Sequence, residues 1–70
     1  MSDTITVRLN GRDHETTAGM SLGELLAGLE LPPSGVAVAK NDRVVPRSRY
    51  GHEAIANGDC IEIIRAVAGG

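Results

Sequence analysis

Tryptophan and phenylalanine are absent from these 70 residues, and Tyr50 is the one aromatic side chain. Base-stacking platforms for single-stranded nucleic acid are thereby excluded. Positive charge is also scarce: 7 Lys+Arg stand against 9 Asp+Glu, a net charge of −2. That is not the basic footprint of a nucleic-acid binder. The single cysteine, Cys60, excludes an internal disulfide, a four-thiolate zinc site and an all-cysteine iron–sulfur cluster. No apolar run approaches the roughly 20 residues that cross a bilayer. Met1-Ser2-Asp3-Thr4 lacks the basic and apolar regions of a signal peptide, so a cytoplasmic chain with no membrane partner is expected. The length excludes more. One small domain of this size buries only about 60% of its unfolded surface, too little for two lobes around a cleft or an enclosed dinucleotide.

What is present is clear patterning. Ile5, Val7 and Leu9 alternate with Thr4, Thr6 and Arg8, the period of a half-buried strand. Asn10-Gly11 follows, a strong signal for a type I′ hairpin, and residues 12–17 return as a strand polar on both faces, which suits a sheet edge. A two-residue loop sets Leu9 opposite Arg12, Val7 opposite His14 and Ile5 opposite Thr16. The period then changes. Leu22, Leu25, Leu26 and Leu29 form one helical stripe, with Ser21 and Glu24 spaced for a capping box and Met20 and Leu25 for a hydrophobic staple. Gly23 and Gly28 each weaken the helix by roughly 1 kcal/mol relative to Ala, and Pro32-Pro33 is the expected stop. Val36–Ala39 reads as a strand, Asn41-Asp42 as a second hairpin turn, and Arg43–Val45 as its return, ended by Pro46. Residues 47–57 read as irregular, anchored by Ala54 and Ile55. After a turn at Asn57-Gly58-Asp59, Cys60–Val67 is the most β-prone segment.

One helix between two hairpin-like pairs gives a two-layer α+β domain, with a mixed sheet of about five strands and the helix on one face. The last strand belongs in the centre beside the first, because an edge position would expose Ile61, Ile63 and Ile64. That arrangement is the β-grasp of ubiquitin. Residues 1–67 are expected to form the domain, and 68–70 a flexible tail ending in Gly69-Gly70.

Few residues offer chemistry within the body. Cys60 with His14 or His52 would make a thiol nucleophile and base, but a cysteine in an apolar stretch reads better as a small buried hydrophobe. His14 on an edge strand and His52 in a loop lack partners at metal-ligand spacing. Asp59 reads as a turn residue. Arg43, Arg47 and Arg49 form a local positive cluster that fits a solvated loop and a partner-docking surface equally well. The terminal dipeptide is either a floppy end or the reacting group itself. An α-carboxylate with a pKa of roughly 3.5 is ionised at neutral pH and can attack the α-phosphate of ATP held by a partner enzyme. Two residues without Cβ can thread a narrow channel and leave the carbonyl open to a sulfur nucleophile that displaces AMP. The product is a C-terminal thiocarboxylate.

Gly35-Val36-Ala37-Val38-Ala39, Asn41 and Val44-Val45-Pro46-Arg47-Ser48 resemble the sulfur-carrier proteins of thiamin (thiazole) biosynthesis. So does Asn57-Gly58-Asp59 leading through Ile61-Glu62-Ile63-Ile64 to Ala66-Val67 and Gly69-Gly70, and the likeness runs the whole length. Tyr50 stands where that family often has Trp, and Ala68 where it often has Gln. The resemblance implies a non-enzymatic carrier that binds no cofactor. Its Gly70 is adenylated by a ubiquitin-activating-type adenylyltransferase using ATP, with Gly69 beside it for threading. Sulfur comes from a cysteine-derived persulfide and passes to thiazole synthase. It also implies docking through an apolar sheet face with charges around it, for which Arg47 and Arg65 are the chosen candidates. The alternatives are a molybdopterin-synthase small subunit, a ubiquitin-like modifier and a purely structural β-grasp interaction domain.

Overall fold

The computed structural model describes residues 3–32 and 35–65. Its elements run β1 (Thr4–Leu9), β2 (Arg12–Thr17), α1 (Leu22–Gly28), β3 (Val36–Lys40), β4 (Arg43–Val45), a 3₁₀ turn (Arg47–Arg49) and β5 (Cys60–Arg65). Both hairpins close through pairs of positive φ: 52° and 82° at Asn10 and Gly11, 51° and 68° at Asn41 and Asp42. These are the conformations a type I′ turn demands, and asparagine and aspartate tolerate them better than other side chains do. The turn fixes the register, with Leu9 opposite Arg12, Val7 opposite His14 and Ile5 opposite Thr16, as the sequence predicts.

The sheet order is β2-β1-β5-β3-β4. The polar β2 and the Pro46-terminated β4 take the edges, and β5 lies in the centre, parallel to β1 and antiparallel to β3. With α1 packed on one face, this is the β-grasp. The core joins Val7, Val38, Val45, Ile61 and Ile63 of the sheet to Leu22, Leu25 and Leu26 of the helix, with Tyr50 and Ile55 from the loop. The strand expected to reach Val67 is described as far as Arg65. The tail at 68–70, with Gly69 and Gly70, lies outside the described residues.

The helix begins as its sequence dictates. The Ser21 hydroxyl accepts from the Glu24 N–H at 3.1 Å, and the Glu24 carboxylate accepts from the Ser21 N–H at 2.9 Å. It ends differently. Pro32-Pro33 is not the stop: the last helical residue is Gly28, and Glu30 turns left-handed at φ 61°. The Glu30 N–H then donates to the Ala27 carbonyl and the Leu31 N–H to that of Leu26, a Schellman closure made without glycine at its left-handed position. Gly23 has a packing reason as well. Its N–H donates to the Tyr50 carbonyl at 2.8 Å, and a Cβ there would lie 3.3 Å from that oxygen. Tyr50 is itself buried, its hydroxyl 3.3 Å from the Val36 carbonyl that it donates to.

Three expectations about burial are corrected. Cys60 is exposed, not a buried hydrophobe. Ile64 is 64% exposed although its strand is central. Ile55 anchors the loop, but Ala54 is exposed and contributes through its backbone, bridging to Ser21. One period-2 rule explains the two strand cases: with Ile61 and Ile63 turned to the helix, Cys60, Glu62 and Ile64 must face away.

Candidate functional site

β5 is the strand that leads to Gly70, so the candidate site is its C-terminal end and the surface around it. Gly70 lies five residues beyond Arg65, a reach of at most about 18 Å when fully extended. β3 pairs with β5 as far as Val36 opposite Arg65. β1 covers less, only Arg8 opposite Cys60 and Leu9 opposite Ile61, before turning away at Asn10. The Asn10 side chain continues where the strand stops: its Oδ1 accepts from the Ile63 N–H at 2.8 Å, and its Nδ2 donates to the Ile63 carbonyl at 3.2 Å. Beside it, Leu9, Asn10, Leu29, Leu31, Ile63 and Arg65 line a groove of about 500 Å³ between sheet and helix end.

The opposite end of β5 is tied by a polar network. Asn41 Oδ1 accepts from the Cys60 N–H at 2.9 Å, and its Nδ2 donates to Asp59 Oδ1 at 3.0 Å. Asp59 Oδ2 accepts from the Ala56 N–H at 2.8 Å. Lys40 Nζ lies 2.8 Å from Glu53 Oε2, 3.8 Å from Asp59 Oδ2, and donates to the Ala54 carbonyl. The Lys40 hydrogen bond, aided by the charges of Lys40 and Arg49, holds the Glu53 carboxyl below its ordinary value against partial desolvation and the Asp59 charge. A concavity of about 560 Å³ opens beside β4 at this end, with the Lys40–Glu53 pair in its wall.

Of the three clustered arginines, Arg43 and Arg49 line that concavity with Lys40, and Arg47 is not part of its lining. Arg43 begins β4 beside the Asn41-Asp42 turn, whereas Arg47 follows its end, and Arg49 lies 3.8 Å from Glu53. β4 and β5 both run antiparallel to β3, so Arg47 and Arg65 share the end of the sheet from which the chain leaves β5. Both are exposed. The outward face holds what residue-by-residue inspection misses. Ile64 lies opposite Ala37, Ala39 lies opposite Val44, and Val44 and Ile64 are 79% and 64% exposed. The strip is legible only once alternation is carried through both strands.

Cys60 and His14 do not assemble into a nucleophile and base. Cys60 lies opposite Arg8 on β1, while His14 lies opposite Val7 on the edge strand. Among the described residues no three of His, Cys, Asp and Glu gather to hold a metal ion, and no helix is long and apolar enough to cross a membrane.

Against known proteins, residues 7–70 match the model of the ThiS family. The chain is 31% identical over 64 residues to the sulfur carrier protein ThiS of Escherichia coli, covering 91% of this chain and 97% of that one. It is 41% identical over 64 residues to a thiazole synthase of Magnetococcus marinus, but spans only 20% of that protein's length. Its fold matches the crystal structure of a thiamine biosynthesis protein (ThiS) from Geobacter metallireducens with a TM-score of 0.77, at 26% identity, over 94% of this chain and all of that one.

Proposed function

The chain belongs to the ThiS family, and on that premise we propose that it is a sulfur carrier in the thiazole branch of thiamin biosynthesis. The observation that carries the reading is the match over residues 7–70, which takes in the central strand and Gly69-Gly70 together. The carrier has no catalytic machinery of its own in this reading. An oxygen of the Gly70 carboxylate attacks the α-phosphorus of ATP on a ubiquitin-activating-type enzyme and expels pyrophosphate. The terminal sulfur of a cysteine persulfide then displaces AMP from the acyl adenylate, and a thiol reduces the resulting S–S bond to leave the thiocarboxylate. That sulfur is delivered to thiazole synthase. The likeness of this chain to a fifth of the Magnetococcus synthase favours that recipient over a molybdopterin or protein-conjugation partner. The work is placed in the cytoplasm, where ATP is supplied.

Incubation with the activating enzyme, ATP and a persulfide donor is expected to raise the intact mass by the difference between sulfur and oxygen. Deleting Gly70 is expected to leave the melting temperature unchanged and to abolish both pyrophosphate release and sulfur transfer. Thiazole formation supported by the truncated chain would overturn the carboxylate chemistry.

A further inference from the structure

Asn10 does more than make a turn. In a continued parallel ladder the backbone beyond Leu9 would bond Ile63, but the chain reverses at Asn10-Gly11 and, among the described residues, no main-chain group arrives on that side. The Asn10 carboxamide, a peptide unit in miniature, takes that place with one donor and one acceptor on the same residue. From Ile63 onward, β5 therefore has a strand on its β3 side and one side-chain amide on the other. Strand ends held on one side fray, and Ile63 lies 7 residues before Gly70.

Resting on the carrier reading above, we propose that Asn10 is a positioning residue for the reaction: its amide holds Ile63 of β5 in the sheet and so helps deliver the chain's end to the activating enzyme. It touches neither ATP nor the reacting carboxylate. Its effect belongs to the delivery of Gly70, not to the affinity of the body, because misplacing a reacting group lowers turnover even when binding is intact.

A matched pair of variants tests this. Asn10→Gly and Asn41→Gly each keep a residue content that a type I′ turn accepts, and each removes a side-chain acceptor from one β5 amide, Ile63 in the first and Cys60 in the second. Both are assayed well below their melting temperatures. Hydrogen exchange is expected to speed at Ile63 only in Asn10→Gly and at Cys60 only in Asn41→Gly. With the activating enzyme and ATP, Asn10→Gly is expected to lower kcat for pyrophosphate release by roughly tenfold or more with the carrier's Kd unchanged, while Asn41→Gly keeps kcat. Asn10→Asp, which keeps the acceptor for the Ile63 N–H and loses the donor, is expected to fall between. Equal kcat values for the two glycine variants, with the wild type active, overturn the positioning role and leave the carrier reading standing. A wild-type chain that is not adenylated at all overturns the carrier reading and this inference with it.

Discussion

Both hairpin turns begin with asparagine, and both asparagines reach β5, yet they hold its opposite ends in different company. At the starting end Asn41 works beside Asp59, Lys40 and Glu53, so that β5, the β3–β4 turn and the long loop are joined by several hydrogen bonds and ion pairs. At the leaving end Asn10 bonds Ile63 next to an apolar groove, and among the described residues no salt bridge involves Arg65. Stability is thus concentrated where the strand enters the sheet. The leaving end is paired to β3 as far as Arg65, and on its β1 side Ile63 is held by the Asn10 amide. One strand is thus tied by a charged network at one end and by a neutral amide at the other.

The contrast is broken most directly by Asp59→Ala, which leaves Asn41 Nδ2 and the Ala56 N–H without their shared acceptor. Bonds to a charged acceptor are worth about 2 kcal/mol together here, and the expected drop in Tm is roughly 10 °C. Thermal melting checks it, and a shift of a degree or two would mean that the starting end is no better tied than the other. At the leaving end, reversing Arg47 and Arg65 to Glu is expected to slow adenylation several-fold at low salt and to matter less at high salt, with Tm little changed, because exposed rim charges act on association. Equal rates at low ionic strength would make these arginines a solvated face.

A smaller effect sharpens the picture from the helix side of the groove. Glu30→Gly relieves a left-handed residue, a strain of about 1 kcal/mol, partly offset by glycine's freedom in the unfolded chain. A net gain of about 0.5 kcal/mol is expected from denaturant unfolding, and a loss would show that the Glu30 side chain has a role the backbone does not reveal. The smallest effect is a pH dependence. The Glu53 carboxyl is held below its ordinary value of 4.5, so its contribution to stability is complete above that pH and disappears as pH falls through its folded value. The gap in Tm between the wild type and Glu53→Gln is expected to stay constant around neutrality and to shrink below about pH 4.5. A gap that persists into acid would show that the Lys40 bond does not depend on the carboxylate charge.

Most of the fold was legible because its signals are local. Asn-Gly and Asn-Asp name their turns, turn length sets the register, and Ser21 with Glu24 names a helix start. The helix end was not, since Glu30 sits in a conformation that favours glycine and the prolines beyond it drew the boundary outward. The exposure of Cys60 and Ile64 was available in the alternation but hidden by the overall apolarity of the segment. The Asn41–Asp59 and Asn10–Ile63 contacts join residues far apart in the chain, and no spacing rule reports them. Ile55 could be named as the anchor of its loop, whereas the burial of Tyr50, from a segment without periodicity, was hidden for the same reason. Arg47 and Arg65 could be named, but only the common direction of β4 and β5 shows that they lie at the same end of the sheet.

The central place of β5 has a consequence for how the molecule comes into being. A ribosome makes this strand after the other four, and its partners β1 and β3 flank an empty slot until it arrives. Loop-closure entropy must be met before the long-range contacts repay it, so Val7, Val38 and the helix leucines complete their packing only when Ile61 and Ile63 are in place. A chain broken off before β5 lacks the strand that joins β1 to β3. Completion of the core therefore waits on the last strand made, so a body with Val7, Val38 and the helix leucines fully packed is one that already contains β5.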